Sequence, residues 1–154
     1  MRVYSVVVVF GLLLIALIGL QSLASPTTAS TVKADVNIVP EVFNLKQKGV
    51  ITAYVSNLTK YGVTYDVRDI NVSTIKLYYQ ESLLAEALRT TVANDVLIVK
   101  FDAYTVANNI WNNIYHMGII PPQADTPLKL TVRGQVISNG EEFAGSDTIK
   151  IISP

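Results

Sequence analysis

The sequence predicts a mainly β fold: an immunoglobulin-like two-layer β-sandwich of about seven strands with one inserted α-helix near 103–117. Three observations carry this. Short stretches alternate apolar and polar residues as half-buried strands do, turn-forming pairs punctuate them, and a single segment places apolar residues four apart. Val, Ile and Tyr, which suit pleated half-buried surfaces, are abundant.

The first 24 residues stand outside that pattern. Met1 and Arg2 lead into an uncharged apolar run from Val3 to Leu20, and Ser22 and Ala24 take the minus-three and minus-one places of a cleavage site. A positive start, an apolar middle and small residues before the cut are the parts of a Sec-type signal peptide over 1–24. The run also approaches the ~20 residues that cross a bilayer, so an N-terminal membrane anchor is the alternative. With no cysteine in the chain, acylated lipoprotein anchoring is excluded and disulfides cannot supply stability. Residues 25–31 form a flexible hydroxyl-rich lead, and 32–153 make a single β-sandwich domain of ordinary size.

The expected address is therefore extracellular or the cell surface, with a membrane-anchored domain facing outside as the alternative. Of the 12 Lys and Arg, Arg2 leaves with the leader, so 11 bases face 12 scattered acids. That balance carries no electrostatic footprint for nucleic acid.

Taken in order, Val32–Val39 sets Val32, Ala34, Val36 and Ile38 on one face until Pro40 stops it. Phe43 to Gly49 reads as a loop with apolar anchors at Phe43 and Leu45. Strand character returns from Val50 to Ser56, and a polar connection with Gly62 runs from Asn57 to Asp69. Thr74–Tyr79 is a third strand with Ile75, Leu77 and Tyr79 aligned, whereas Ser82 to Leu88 fits a short helix or an irregular strand equally. Val96–Phe101 is a strong strand behind the turn pair Asn94-Asp95.

Asp102 then stands where an N-cap belongs, with Val106, Ile110 and Ile114 as the helix stripe and Gly118 as its C-cap. Pro121 and Pro122 impose an extended exit. Leu128–Val136 and Phe143–Ile152 make a hairpin about Asn139-Gly140.

A series of short motifs adds a resemblance. Val36-Asn37-Ile38-Val39-Pro40, Asn44-Leu45-Lys46-Gln47-Lys48-Gly49-Val50-Ile51, Val72-Ser73-Thr74-Ile75, Leu97 to Phe101, Leu130 to Gly134 and Gly145-Ser146-Asp147-Thr148-Ile149 follow one another between Ala34 and Ile152. The pattern resembles an extracellular β-sandwich module that recurs in secreted bacterial and archaeal proteins. The resemblance implies a sandwich domain with no enzymatic activity to carry over. Many such modules carry an Asp-rich, calcium-loop-like stretch before the strong buried strand. Here Arg89-Thr90-Thr91-Val92-Ala93-Asn94-Asp95 offers one Asp and one Asn, too few oxygen ligands for calcium.

No catalytic, cofactor or metal site is expected. His116 is the only histidine, thiolate chemistry is excluded, and neither a Gly-x-Ser-x-Gly elbow nor a phosphate-cradling loop occurs. Glu141-Glu142 reads as a solvated hairpin tip, and Lys46 and Lys48 as a small solvated positive spot. Gly145 and Asp147 mark a bulge or close backbone approach, with the Asp side chain bonding neighbouring amides. Trp111 and Tyr79 are the candidate ligand surface, since aromatic rings stack on sugars. Asn57-Leu58-Thr59 and Asn71-Val72-Ser73 are N-glycosylation sequons suited to an exported surface.

The expected role is a non-enzymatic structural domain of the cell exterior, self-assembling through its N-terminal strand. Its partners would be copies of itself or cell-surface components, and the membrane only if the leader is retained. A surface glycan- or polymer-binding module and a membrane-tethered accessory domain are the alternatives.

Overall fold

Alternation places the strands. The computed structural model describes residues 31–116 and 126–152, and over these the chain is mainly β with one short helix. The leader, most of the lead, Gly118 and the Pro121-Pro122 exit lie outside the described residues. Strand β1 (Val32–Val39) buries Val32 and Ile38 fully and exposes Lys33, Asp35 and Asn37 between them. It ends at Pro40, which has no N–H to give a ladder.

Strands β2 (Val42–Asn44), β3 (Val50–Lys60) and β4 (Val63–Tyr65) follow, then a 3-10 turn at Val67–Asp69. Strands β5 (Ile70–Tyr79), β6 (Ser82–Glu86), β7 (Arg89–Ala93) and β8 (Val96–Asp102) lead into helix α1 (Ala103–Ile110) and a π turn (Trp111–Tyr115). The hairpin of β9 (Thr126–Val136) and β10 (Glu142–Ile152) completes the order.

All ten strands belong to one curled sheet of order β6-β5-β9-β10-β1-β3-β8-β7, with β2 beside β10 and β4 beside β3. Two seams curl it. At the first, β1 pairs in parallel with β10 only at Val32↔Phe143 and Lys33↔Ala144, then runs antiparallel to β3 as far as Val39↔Thr52. The β10 edge that β1 leaves is taken up by β2, from Lys150↔Val42 to Ile152↔Asn44. At the second seam, Ala87 N–H donates to the Ile75 carbonyl of β5 and Leu88 N–H to the Lys100 carbonyl of β8. One stretch of chain thus leaves one end strand, β6, and becomes the other, β7.

The interior of the curl is apolar. Phe43, Phe101 and Phe143 are fully buried with Ile38, Leu58, Leu77, Leu97 and Ile110, and among the described polar residues only Thr52 is buried. Each such side chain contributes about 1.5–3 kcal/mol relative to exposure. In a chain without cysteine, this core is the main source of stability.

Several expectations are corrected here. The strands number ten in one continuous sheet, not about seven. The connection from Asn57 to Asp69 is largely β3 and β4: Asn57 takes a left-handed φ of 50° where the β1–β3 register shifts, and Leu58 stays in the core, so the strand runs on. Ser82–Glu86 is a strand, and Phe43 belongs to one. The α-helix stops at Ile110, short of Met117, because Ile114 and Tyr115 are both buried. A π turn sets Tyr115 five residues beyond Ile110 on the inner face and is closed by His116 N–H on the Trp111 carbonyl at 2.8 Å.

Candidate functional site

Two places on this frame bring candidate residues together. The first is the seam between β1 and β10. Strand β10 pairs with β9 in unbroken register from Glu142↔Gln135 to Ile151↔Thr126, so Gly145 sits in a regular strand, not a bulge. A Cβ at Gly145 would collide with the Ala34 carbonyl oxygen and Val36 Cγ2. Only a bare Cα lets β1 lie this close. Two residues on, Asp147 Oδ2 accepts the Ile38 N–H at 2.7 Å while Oδ1 accepts the Thr148 N–H at 2.7 Å. The carboxylate replaces the ladder bond that the diverging strands no longer make. Ladder pairing at Val32 and Lys33, the glycine gap at Gly145 and the carboxylate at Asp147 together form a slot that holds β1 along its length.

The neighbouring hairpin tip is not merely solvated. Lys60 Nζ meets Glu141 Oε1 at 2.6 Å, with the lysine side chain only 12 % exposed, and this hydrogen bond raises the Lys60 pKa above its ordinary value. Ile137 N–H donates to the Asp69 carbonyl at 2.6 Å, and Asn139 Oδ1 accepts the Glu141 N–H at 2.9 Å. Glu142 remains exposed. The tip is clamped to β3 and the 3-10 turn.

The second place is the outer side of α1. Asp102 caps the helix, its carboxylate accepting both the N–H and the hydroxyl of Thr105 at 2.8 and 2.7 Å, and Val106, Ile110 and Ile114 face the core. Tyr104 and Trp111, seven residues apart and so on one face, point outward at 73 % and 44 % exposure. They border a shallow hollow of about 280 Å³ with Leu45, Ala107 and Asn108. The Trp111 ring meets Tyr115 edge-on, centroids 5.9 Å apart at 72°. This is an apolar shelf with one amide beside it, a shape able to stack a flat, hydroxyl-bearing ring.

Tyr79 is elsewhere. It is half-buried against the core and lines a different depression with Thr131, Arg133 and Ser146. Tyr104, and not Tyr79, is the aromatic neighbour of Trp111, and its i, i+7 spacing to Trp111 opposite the Val106 stripe is the sequence signal that pairs them. On the sheet face, Arg133 forks onto Glu81 at 2.8 and 2.9 Å and lies 4.9 Å from the Tyr78 ring, so its charge is already paired.

Both sequon asparagines are described. Asn57 donates its amide N–H to Asp35 Oδ2 at 2.8 Å. Asn71 accepts from the Ser73 hydroxyl at 2.7 Å. His116 is exposed just past the π turn. No group of three or more His, Asp or Glu converges among the described residues, and Arg89–Ala93 is strand β7. No described helix is long and apolar enough to cross a membrane. No family model matches the chain, and no similar protein was found among curated proteins or solved structures.

Proposed function

We propose that this chain is a non-enzymatic structural domain of the cell exterior that assembles with copies of itself by exchanging its N-terminal strand. The observation behind this reading is the slot on β10. A place for β1 built from two ladder pairs, one glycine gap and one carboxylate on β10, and from the antiparallel ladder on β3, can be filled equally by the β1 of another copy, because an exchanged strand makes the same contacts in trans. Only Pro40 and Glu41 join β1 to β2, a short hinge of the kind that favours exchange. We take the two halves of the curled sheet, β6-β5-β9-β10 and β1-β3-β8-β7, as the layers of the sandwich, and the likeness to the secreted module as part of the same reading. Export through the leader completes it, with the membrane-tethered form following if the leader stays. Electron microscopy of the purified mature protein tests the proposal: polymers are expected, and a protein that stays monomeric at high concentration would sink it.

The aromatic shelf favours a second reading, a surface glycan- or polymer-binding module. Its support is the exposed Tyr104–Trp111 pair. Glycan-array binding that disappears in Trp111→Ala and Tyr104→Ala is the expected result, and a blank array with folded protein would count against it.

A further inference from the structure

We infer that Asn71, and not Asn57, is the acceptor of an N-linked glycan. Both stand in Asn-x-Ser/Thr sequons, but their surroundings differ. Asn57 lies within β3 between residues paired to β1, its side-chain nitrogen is engaged by the Asp35 carboxylate, and the middle residue of its sequon, Leu58, is fully buried in the core. Presenting that tripeptide to a transferase means withdrawing Leu58 from the interior and losing its burial.

Asn71 lies where the β5–β9 ladder breaks. Register runs Ile70↔Val136 and Asn71↔Gln135, then resumes at Lys76↔Arg133, so residues 72–75 stand opposite Gly134 as a bulge from which Ile75 returns to the core. Val72 is 47 % exposed, and Ser73 is exposed as well. The Ser73 hydroxyl donates to Asn71 Oδ1, which turns the sequon back on itself and leaves its apolar residue in solvent. Thr74 holds the base of the bulge, accepting the Gln135 N–H at 2.9 Å and donating to the Asn71 carbonyl at 2.7 Å. Asn71 is half-buried at the rim of the bulge, and the folded domain offers the tripeptide without withdrawing a core side chain.

In the transfer, the Asn71 amide nitrogen forms a bond to C1 of a sugar while the bond from C1 to a lipid-linked pyrophosphate breaks. One amide proton goes to solvent, and nothing is oxidised or reduced. The inference goes beyond the structural reading and rests only on its export component.

The test replaces residues 1–24 with a proven secretion signal, appends a reference sequon at the C-terminus, and maps glycopeptides by mass spectrometry on protein recovered from the medium of a glycosylating host. Glycan at Asn71 is expected, with near-complete loss in Asn71→Gln and Ser73→Ala, retention in Ser73→Thr and no change in Asn57→Gln. A bare Asn71 beside an occupied reference sequon, or glycan on Asn57, overturns the inference. The native leader is followed in parallel by its own secretion, so failure of export is read separately from failure at Asn71.

Discussion

The N–H of Ile38 donates to Oδ2 of Asp147 across 2.7 Å of space and 109 residues of chain, and this bond closes the seam where β1 parts from β10. Asp147→Ala leaves the Ile38 N–H without its acceptor beside a fully buried side chain. A loss of about 1–3 kcal/mol follows for an orphaned, part-buried donor. Urea denaturation of the purified protein measures it, and an unchanged midpoint would show that the seam does not depend on this bond.

Gly145 and Gly140 should respond to substitution for different reasons. Gly145→Ala places a methyl group against the Ala34 carbonyl, and overpacking of this kind costs about 1–3 kcal/mol. Gly140→Ala meets no neighbouring atom but strains a φ of 68°, at about 1–2 kcal/mol. Only the first should impair assembly, because only the first displaces β1. Equal polymer yields from the two variants would separate the slot from the function proposed for it.

Stability should fall away at both pH extremes through identifiable groups. The hydroxyl and N–H of Thr105 hold the Asp102 carboxyl below its ordinary pKa of 3.8, so its contribution is complete above that value and lost as pH falls through the lower folded one. The hydrogen bond to Glu141 raises Lys60 above 10.5, so that contribution is complete below 10.5 and lost as pH rises through the higher folded one. Melting temperatures across the pH range should show the acid limb flattened in Asp102→Asn and the alkaline limb flattened in Lys60→Met.

Tyr104→Ala should leave stability within about 0.5 kcal/mol, since the ring is 73 % exposed. Phe143→Ala, which removes a fully buried ring, should cost about 3–5 kcal/mol. A large destabilisation from Tyr104→Ala would mean that the shelf is part of the packing and not a free surface. Calorimetry on the two variants decides this.

Much of the strand pattern is legible in the sequence because burial and alternation coincide. Val32–Val39 and the Asp102 cap lie where the residues put them. What escapes the eye is set by distant partners. Asn57 adopts a positive φ in a segment that reads as a loop, yet β1 pairs with β3 on either side of it, and a turn at Tyr61-Gly62 folds β4 back onto Leu58–Lys60, so the segment is strand. The helix shortens because Tyr115 turns inward, which a four-residue stripe through Ile114 does not anticipate. The Gly145 and Asp147 pair signals a close approach, but the strand that approaches lies over 100 residues earlier and carries no local mark. Trp111 is visible alone, whereas its neighbour Tyr104 is recognised only once Val106 fixes which face is inward.

Cross-linking in trans tests strand exchange most directly. Lys33 on β1 and Thr59 on β3 are exposed antiparallel partners, close enough for a disulfide, and the chain has no native cysteine to interfere. Singly substituted Lys33→Cys and Thr59→Cys chains are unfolded together, allowed to assemble, and oxidised. Strand exchange predicts a disulfide joining the two substituted positions of different chains, as a covalent dimer in the mixed single variants and as a ladder of covalent oligomers in the doubly substituted chain, and Gly145→Val abolishes both. Mixed single variants that stay uncrosslinked at this pair, while the double variant closes fully within one chain, would contradict it.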